Sequence, residues 1–199
     1  MPIQPVPEDL SLPTASTRLT FQWLEEPDLP DLARILTQED FAFFPNRPSG
    51  QTVEAWKGHV DSCSKGGIWL VAVRHRVTGE LLCLTSYMDW RPVHLGVEIG
   101  HTLVASAHRG TWVNPAVKLE LLSHAFEKMG LNRVQFKAHA LNLRSRKAIQ
   151  KIGAQFEGVL RQNTRMWDGS WRDTAYYSIL AVEWPQMKPS LEAMSAEQA

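Results

Sequence analysis

The chain has 199 residues, 44% of them hydrophobic and eight of them tryptophan, enough to bury the core of one domain with short tails. Its 21 Lys and Arg balance 21 Asp and Glu, which argues against a nucleic-acid protein that works by bulk electrostatics. The two cysteines, Cys63 and Cys83, make no disulfide framework and stand in no metal-ligand spacing, so they read as free thiols of a reducing, cytoplasmic compartment, and no metal is expected.

Residues 1–16 carry several prolines, no basic residue and no long apolar run. They read as a flexible arm, neither a signal peptide nor a membrane anchor. Arg18 to Leu24 alternates as a strand does, and Pro27 to Leu36 places Leu29, Leu32, Ala33 and Leu36 on one helical face. The segment 41–48 sets three phenylalanines between turn residues. A second helix is expected over Thr52 to Cys63, stopped by Gly66-Gly67. Strands follow at Ile68 to Val73 and Leu81 to Met88, joined by a turn at Thr78-Gly79-Glu80.

Val97, Ile99, Leu103 and Val104 mark the next strand. After it comes a short basic turn, His108-Arg109-Gly110, and a helix with Asn114 as its N-cap and Pro115 at its first position. Leu121, Leu122, Ala125, Phe126 and Met129 give that helix one buried face. Free N–H groups at a helix start, with an arginine alongside, can hold phosphate oxygens. By itself such a unit is common, and Arg109 can equally be an exposed loop residue. A strand at Val134, Phe136 and Ala138 then leads to a helix capped by Asn142 and closed by Gly153. A hairpin over 156–166 and 170–182, turning at Asp168-Gly169, ends the domain near Glu183-Trp184-Pro185. The last fourteen residues, 186–199, read as a polar tail, so the domain is expected over 17–185.

These residues together resemble the GNAT acyltransferases, and within them the Rim branch, whose members include acetyltransferases of ribosomal-protein N-termini. The resemblance rests on Glu98-Ile99-Gly100, on His108-Arg109-Gly110-Thr111 with Asn114, and on Asn142-Leu143-Arg144-Ser145 before Gly153. It continues through Glu157-Gly158-Val159-Leu160-Arg161, Asp168-Gly169, Arg172-Asp173 and Tyr177-Ser178 to Glu183-Trp184, covering about residues 17–185. It implies a mixed α/β (α+β) fold, a mostly antiparallel sheet flanked by helices, and acetyl-CoA as cofactor. Two positions depart from the family pattern. Trp112 puts an indole in the phosphate turn, where its ring is expected to turn away into the core. Ile149 stands where many members carry a tyrosine acid.

The implied reaction is acetyl transfer to a primary amine by direct attack in a ternary complex. Backbone groups from His108 through Arg109, Gly110, Thr111 and Trp112 to Val113 would hold the pyrophosphate, and Arg109 would add charge. Asn142 would bond the pantetheine arm, beyond its service as an N-cap. Lys147 or Arg146 would reach the nucleotide phosphate, unless both simply face solvent. Glu98 is the candidate base, or else a strand-end carboxylate paired to a nearby Arg or His. Leu103 and Val104 would offer a backbone N–H to the oxyanion if a bulge breaks their pairing. Ser145 is the candidate proton donor to the leaving thiolate, or an ordinary first-turn serine.

For the acceptor, Phe43, Phe44, Trp167 and Trp171 would line a groove or belong to the core. The expected substrate is a protein or peptide N-terminus, with a small-molecule amine as the alternative. Other readings are succinylation, with His101 or an arginine near the hairpin as the cation, and a non-catalytic coenzyme A-binding sensor. Neither direct nucleic-acid binding nor a membrane is expected, and the hairpin would suit a homodimer.

Overall fold

A computed structural model describes residues 3, 5–14 and 16–196. Seven strands form one sheet in the order β1-β2-β3-β4-β5-β7-β6. They are β1 (Leu19–Trp23), β2 (Ile68–His75), β3 (Leu81–Arg91), β4 (Gly96–Val104), β5 (Arg133–His139), β6 (Gln155–Arg165) and β7 (Trp171–Leu180). All neighbours pair antiparallel except β4 and β5. Five helices flank the sheet: α1 (Leu29–Ile35), α2 (Val53–Lys65), α3 (Val113–Ser123), α4 (Leu143–Lys151) and α5 (Trp184–Ser195). This is the mixed α/β architecture expected from the sequence.

Alternation along β2 divides the core. Leu70 and Ala72 pack with Leu29, Leu32, Trp56 and Val60 of α1 and α2. Val71 and Val73 pack with Val117 and Leu121 of α3, Ile149 of α4 and Leu191 of α5. Side chains of a strand point to opposite faces in turn, so each face receives its own apolar set. Among the described residues no helix is long and apolar enough to cross a membrane.

The two ends of the chain differ from expectation. Described residues of the expected N-terminal arm pack on the domain: Leu10 is buried against the α3 side of the core, Ile3 N–H donates to the Leu24 carbonyl at 3.0 Å, and Trp69 Nε1 donates to the Pro5 carbonyl at 2.9 Å; residues 1, 2, 4 and 15 of that arm lie outside the described residues. Apolar residues between the prolines supply that anchor. The expected polar tail is helix α5 through Ser195. Trp184 packs on Phe126 at 5.7 Å between ring centroids and donates to Glu127 at 2.8 Å. Leu191 supplies the next buried turn, a spacing hidden by the polar residues around it. The domain therefore does not stop at residue 185; positions 197–199 lie outside the described residues.

Helix α3 begins at Val113, one residue before the expected N-cap. Its N-cap is Trp112, which makes no side-chain cap hydrogen bond; the Thr111 hydroxyl accepts from Val113 N–H at 3.4 Å, and Asn114 lines the cleft described below.

Two irregularities of β4 create that cleft. Parallel pairing with β5 covers only Gly96–Arg133, Val97–Val134 and Glu98–Gln135, and beyond it the strands separate. On the other edge, Ser86 pairs with Gly100 but Leu84 with Leu103, so His101 and Thr102 together oppose Thr85. Such a two-for-one count is a β-bulge. His101 absorbs it with φ of 45°. Gly100 opens it, where a Cβ would meet Met88 Sδ at 2.7 Å.

Candidate active site

A cleft of about 470 Å³ lies where β4 and β5 part, closed by α3, α4 and the 39–44 segment. Of the cofactor candidates, Leu103, Val104, His108, Arg109, Gly110, Asn142 and Ser145 line it, whereas Thr111, Trp112, Val113 and Lys147 do not. No set of residues suited to a metal ion occurs among the described residues.

At the α3 end, the Gly110, Thr111 and Trp112 amides have no hydrogen-bond partner within the described residues. Gly110 has φ of 75°, a conformation that favours glycine. Free amides before a helix start suit an anion. Arg109, however, is not a free cation. Its guanidinium pairs with the buried carboxylate of Asp40, and its Nε donates to the Val104 carbonyl at 3.0 Å. His108 Nε2 lies 2.9 Å from Glu80. The Trp112 ring lies under the Arg18 guanidinium, 3.5 Å from its centroid, with His75 edge-on at 6.3 Å. Its indole thus leaves the turn open.

At the α4 end, Asn142 Oδ1 accepts from Ser145 N–H at 3.0 Å, so the capping role holds and the side-chain amide nitrogen is the group left for a ligand. Ile149 lines the cleft at the tyrosine position. Arg146 does not serve a phosphate here: it donates to Tyr177 Oη at 2.8 Å and to the Ala140 carbonyl at 3.0 Å. Lys147 is exposed to solvent. A helix turns about 100° per residue, which carries these two side chains away from the face shared by Arg144, Ser145 and Ala148.

Along β4, Ala105 N–H donates to the Leu82 carbonyl at 2.9 Å on the β3 side. Backbone groups alternate along a strand, so Val104 presents its polar groups to the cleft, and its carbonyl meets Arg109 there. Leu103 turns its N–H toward β3. The bulge expected near Leu103 and Val104 sits at His101 and Thr102 instead.

Glu98 is only 3% exposed and does not itself line the cleft. Its Oε2 lies 2.6 Å from Lys137 Nζ and accepts from Gln135 Nε2 at 3.1 Å, and Lys137 does line the cleft. Burial raises the Glu98 carboxyl above its usual value, with Lys137 and Gln135 pulling it back. Burial also works against the Lys137 ammonium, but Glu98 outweighs it and the net shift is upward. Glu98 is thus a paired carboxylate with a raised pKa, its partner a lysine of β5 and not the Arg or His expected from the sequence.

The acceptor end is walled by Phe43 and Phe44. Phe44 sits 5.3 Å from the His101 ring, and Arg172 Nη1 donates to the Phe43 carbonyl at 3.0 Å, pinning this segment to β7. Trp167 and Trp171 stay outside the cleft, exposed, with Arg47 stacked on Trp167. Burial drives His101 down to about 3, so it is neutral and cannot supply a cation for a succinyl chain.

The sequence reading passed over Asp40, Lys118 and Lys137. Lys118 could have been found: it lies three, four and seven residues before Leu121, Leu122 and Ala125, on the buried stripe of α3. Lys137 carried a weaker signal, its alternation with Gln135 on β5. Nothing local marked Asp40.

Comparison with known proteins agrees with this geometry. Residues 18–155 match the model described as "Acetyltransferase (GNAT) domain". The chain is 33% identical over 106 residues to "Putative ribosomal N-acetyltransferase YdaF" of Bacillus subtilis, covering 53% of this chain and 57% of that one. It is 29% identical over 108 residues to "Uncharacterized N-acetyltransferase YoaA" of the same organism, covering 54% and 60%; the chain thus spans under two thirds of either curated relative. A "putative acetyltransferase from T. thermophilus" superposes with a TM-score of 0.83 at 33% identity, over 92% of this chain and 97% of that one. Spermidine N-acetyltransferase from Vibrio cholerae, solved with CoA and spermine, shares the fold with a TM-score of 0.69 at 16% identity, over 85% and 99%. The splayed parallel strands, the bulged β4 and the amide-lined turn before α3 thus belong to a member of the GNAT acetyltransferase family, whose acyl donor is acetyl-CoA.

Proposed function

We propose that the protein is an N-acetyltransferase that moves the acetyl group of acetyl-CoA to the N-terminal amine of a protein or peptide, by direct attack in a ternary complex. The observation that carries this reading is the buried Glu98 carboxylate beside a cleft that begins at free helix-start amides. Acetyl-CoA, when bound, supplies an activated thioester.

The chain's own residues do the rest. The Gly110 to Trp112 amides hold the pyrophosphate, and the side-chain amide of Asn142 holds the pantetheine arm. Outward-facing backbone of β4 at Val104 aligns that arm. Glu98 takes the proton of the attacking amine through a water. An α-amino group has a pKa near ~8, so a modest base suffices. Ser145, in the first turn of α4, lines the same cleft and would offer its hydroxyl as a hydrogen bond to the leaving sulfur. Placing both reactants in one cleft supplies much of the acceleration.

The printed name of YdaF supports a ribosomal protein as the acceptor class. The Trp112 ring turns away from the turn before α3 and leaves it open, which weighs against a non-catalytic sensor.

The test is incubation with acetyl-CoA and a panel of ribosomal-protein N-terminal peptides, polyamines and small amines, read by mass spectrometry. Acetylation confined to peptide N-termini is the expected result. Preference for polyamines or for lysine side chains would overturn the acceptor assignment.

A further inference from the structure

Lys118 has no role in the reaction as set out above, yet its surroundings are those of a working group. It comes from the second turn of α3 and is 5% exposed, but it lines the cleft. Its ammonium donates to Thr102 Oγ1 at 2.6 Å and lies 5.4 Å from the centre of the Phe136 ring. Thr102 belongs to the β4 bulge and Phe136 to β5, so the ammonium sits between the strands just where they part. No carboxylate pairs with it among the described residues; the titratable group that bears on it is the buried thiol of Cys83 on β3. An ammonium held without a counter-ion is costly unless something else answers its charge.

We propose that Lys118 is the cation that receives the departing sulfur of coenzyme A, stabilising the thiolate as it forms and then protonating it. The inference rests on the donor-site reading given above. As the C–N bond forms, the amine proton passes to the base side of the cleft. As the C–S bond breaks, its electron pair stays on sulfur, and Lys118 gives one proton to that sulfur. The neutral amine left on Lys118 regains a proton from water when product leaves.

Three observations converge on this role. Lys118 springs from the helix that starts at the amide-lined turn, and its ammonium reaches the bulge at Thr102. Ile149, which lines the same cleft, has no proton to give. Burial lowers the Lys118 ammonium to about 8, close to the ~8.5 of an ordinary thiol, the match that efficient proton transfer needs.

The test is ultraviolet titration of the thiol of CoA bound to the full-length protein, with the desulfo-CoA complex as the blank. The protein's own thiols do not interfere, because burial holds both Cys63 and Cys83 at about 12. In the wild type the bound thiol should titrate lower than free CoA, with the thiolate-to-thiol ratio near neutral pH raised about tenfold. Lys118→Met and Lys118→Gln should abolish that gain, leave desulfo-CoA affinity within about twofold, and lower kcat about 10- to 100-fold at unchanged KM for acetyl-CoA. A wild-type thiol that titrates like free CoA overturns the proposal without recourse to any variant. So does a shift that survives both substitutions, or a loss of desulfo-CoA affinity in both, which would make Lys118 a structural support. Failure of the wild type to bind desulfo-CoA would overturn the donor-site reading as well; binding without a thiol shift overturns this inference alone.

Discussion

Asp40 and Arg109, 69 positions apart in sequence, form an ion pair across the mouth of the cleft. Asp40 is tied in turn to Thr37 N–H at 2.8 Å, and Arg109 to the Val104 carbonyl at 3.0 Å. The pair joins the turn after α1 to the amide-lined turn before α3, and it would set how much of the arginine charge a bound anion can use.

Binding of acetyl-CoA should therefore respond oppositely to the two partners. Arg109→Ala removes a cation and leaves the Asp40 carboxylate facing the phosphates, so affinity should fall at least tenfold, about 1.4 kcal/mol. Asp40→Asn removes the competing anion and should raise affinity severalfold, an effect that fades as salt screens it. Ser145→Ala should leave affinity unchanged and slow turnover. Calorimetric titration at two ionic strengths reads the three affinities, and a steady-state assay reads the turnover of Ser145→Ala. A loss of affinity in Asp40→Asn would mean that the pair acts as a structural clamp.

What the sequence revealed and what it hid divide along a physical line. The β4 and β5 strands, the turn before α3 and the Asn142 cap announce themselves through apolar period, Gly and Asn signals, and these are local. The pairing of Asp40 with Arg109, of Glu98 with Lys137 and of Arg146 with Tyr177 depends on strand order and helix rotation, which no local signal carries. Helix α5 was missed for a related reason: Trp184 and Leu191 are seven residues apart, two helical turns, with prolines at 185 and 189 that read as a broken tail.

The Glu98–Lys137 contact gives a pH prediction. The carboxylate is the form that accepts a proton, so activity should fall as pH drops through the raised Glu98 pKa. Lys137→Met removes the opposing charge, leaves desolvation unanswered, and should move that acidic limb to higher pH. Glu98→Gln should lower kcat/KM about 10²- to 10⁴-fold. The profile is best measured with an acceptor amine of low pKa, so that the amine does not titrate in the same range. A limb that stays in place in Lys137→Met would remove Glu98 from the role of base.

Acid should weaken the fold through two histidines. Burial lowers His59 to about 4 and His101 to about 3, against about 6.5 in the unfolded chain. Between those values the unfolded state binds more protons, so stability is intact above the unfolded pKa and is lost as pH falls below it. Each such histidine should cost up to about 1.4 kcal/mol per pH unit over that window. The two lie close enough to influence each other, so their losses should not simply add. Thermal unfolding at mildly acidic and neutral pH should show a smaller drop in His59→Gln than in the wild type. Equal drops would place the acid sensitivity elsewhere.

Trp112 should matter to the fold more than to the cofactor. Its ring is half-buried under Arg18 and beside His75, packed on the core that holds α3, while its backbone N–H faces the turn. Trp112→Ala keeps that N–H and removes the ring, and with it the cation–π contact and much apolar burial. Stability should fall by about 2 kcal/mol, below the range for a fully enclosed tryptophan. Acetyl-CoA affinity should stay within about threefold, since the turn loses no donor. Chemical denaturation and calorimetry on the same variant separate the two effects. A large loss of affinity at unchanged stability would show that the indole itself contacts the cofactor, and would restore the doubt that an aromatic residue in this turn raises about the phosphate site.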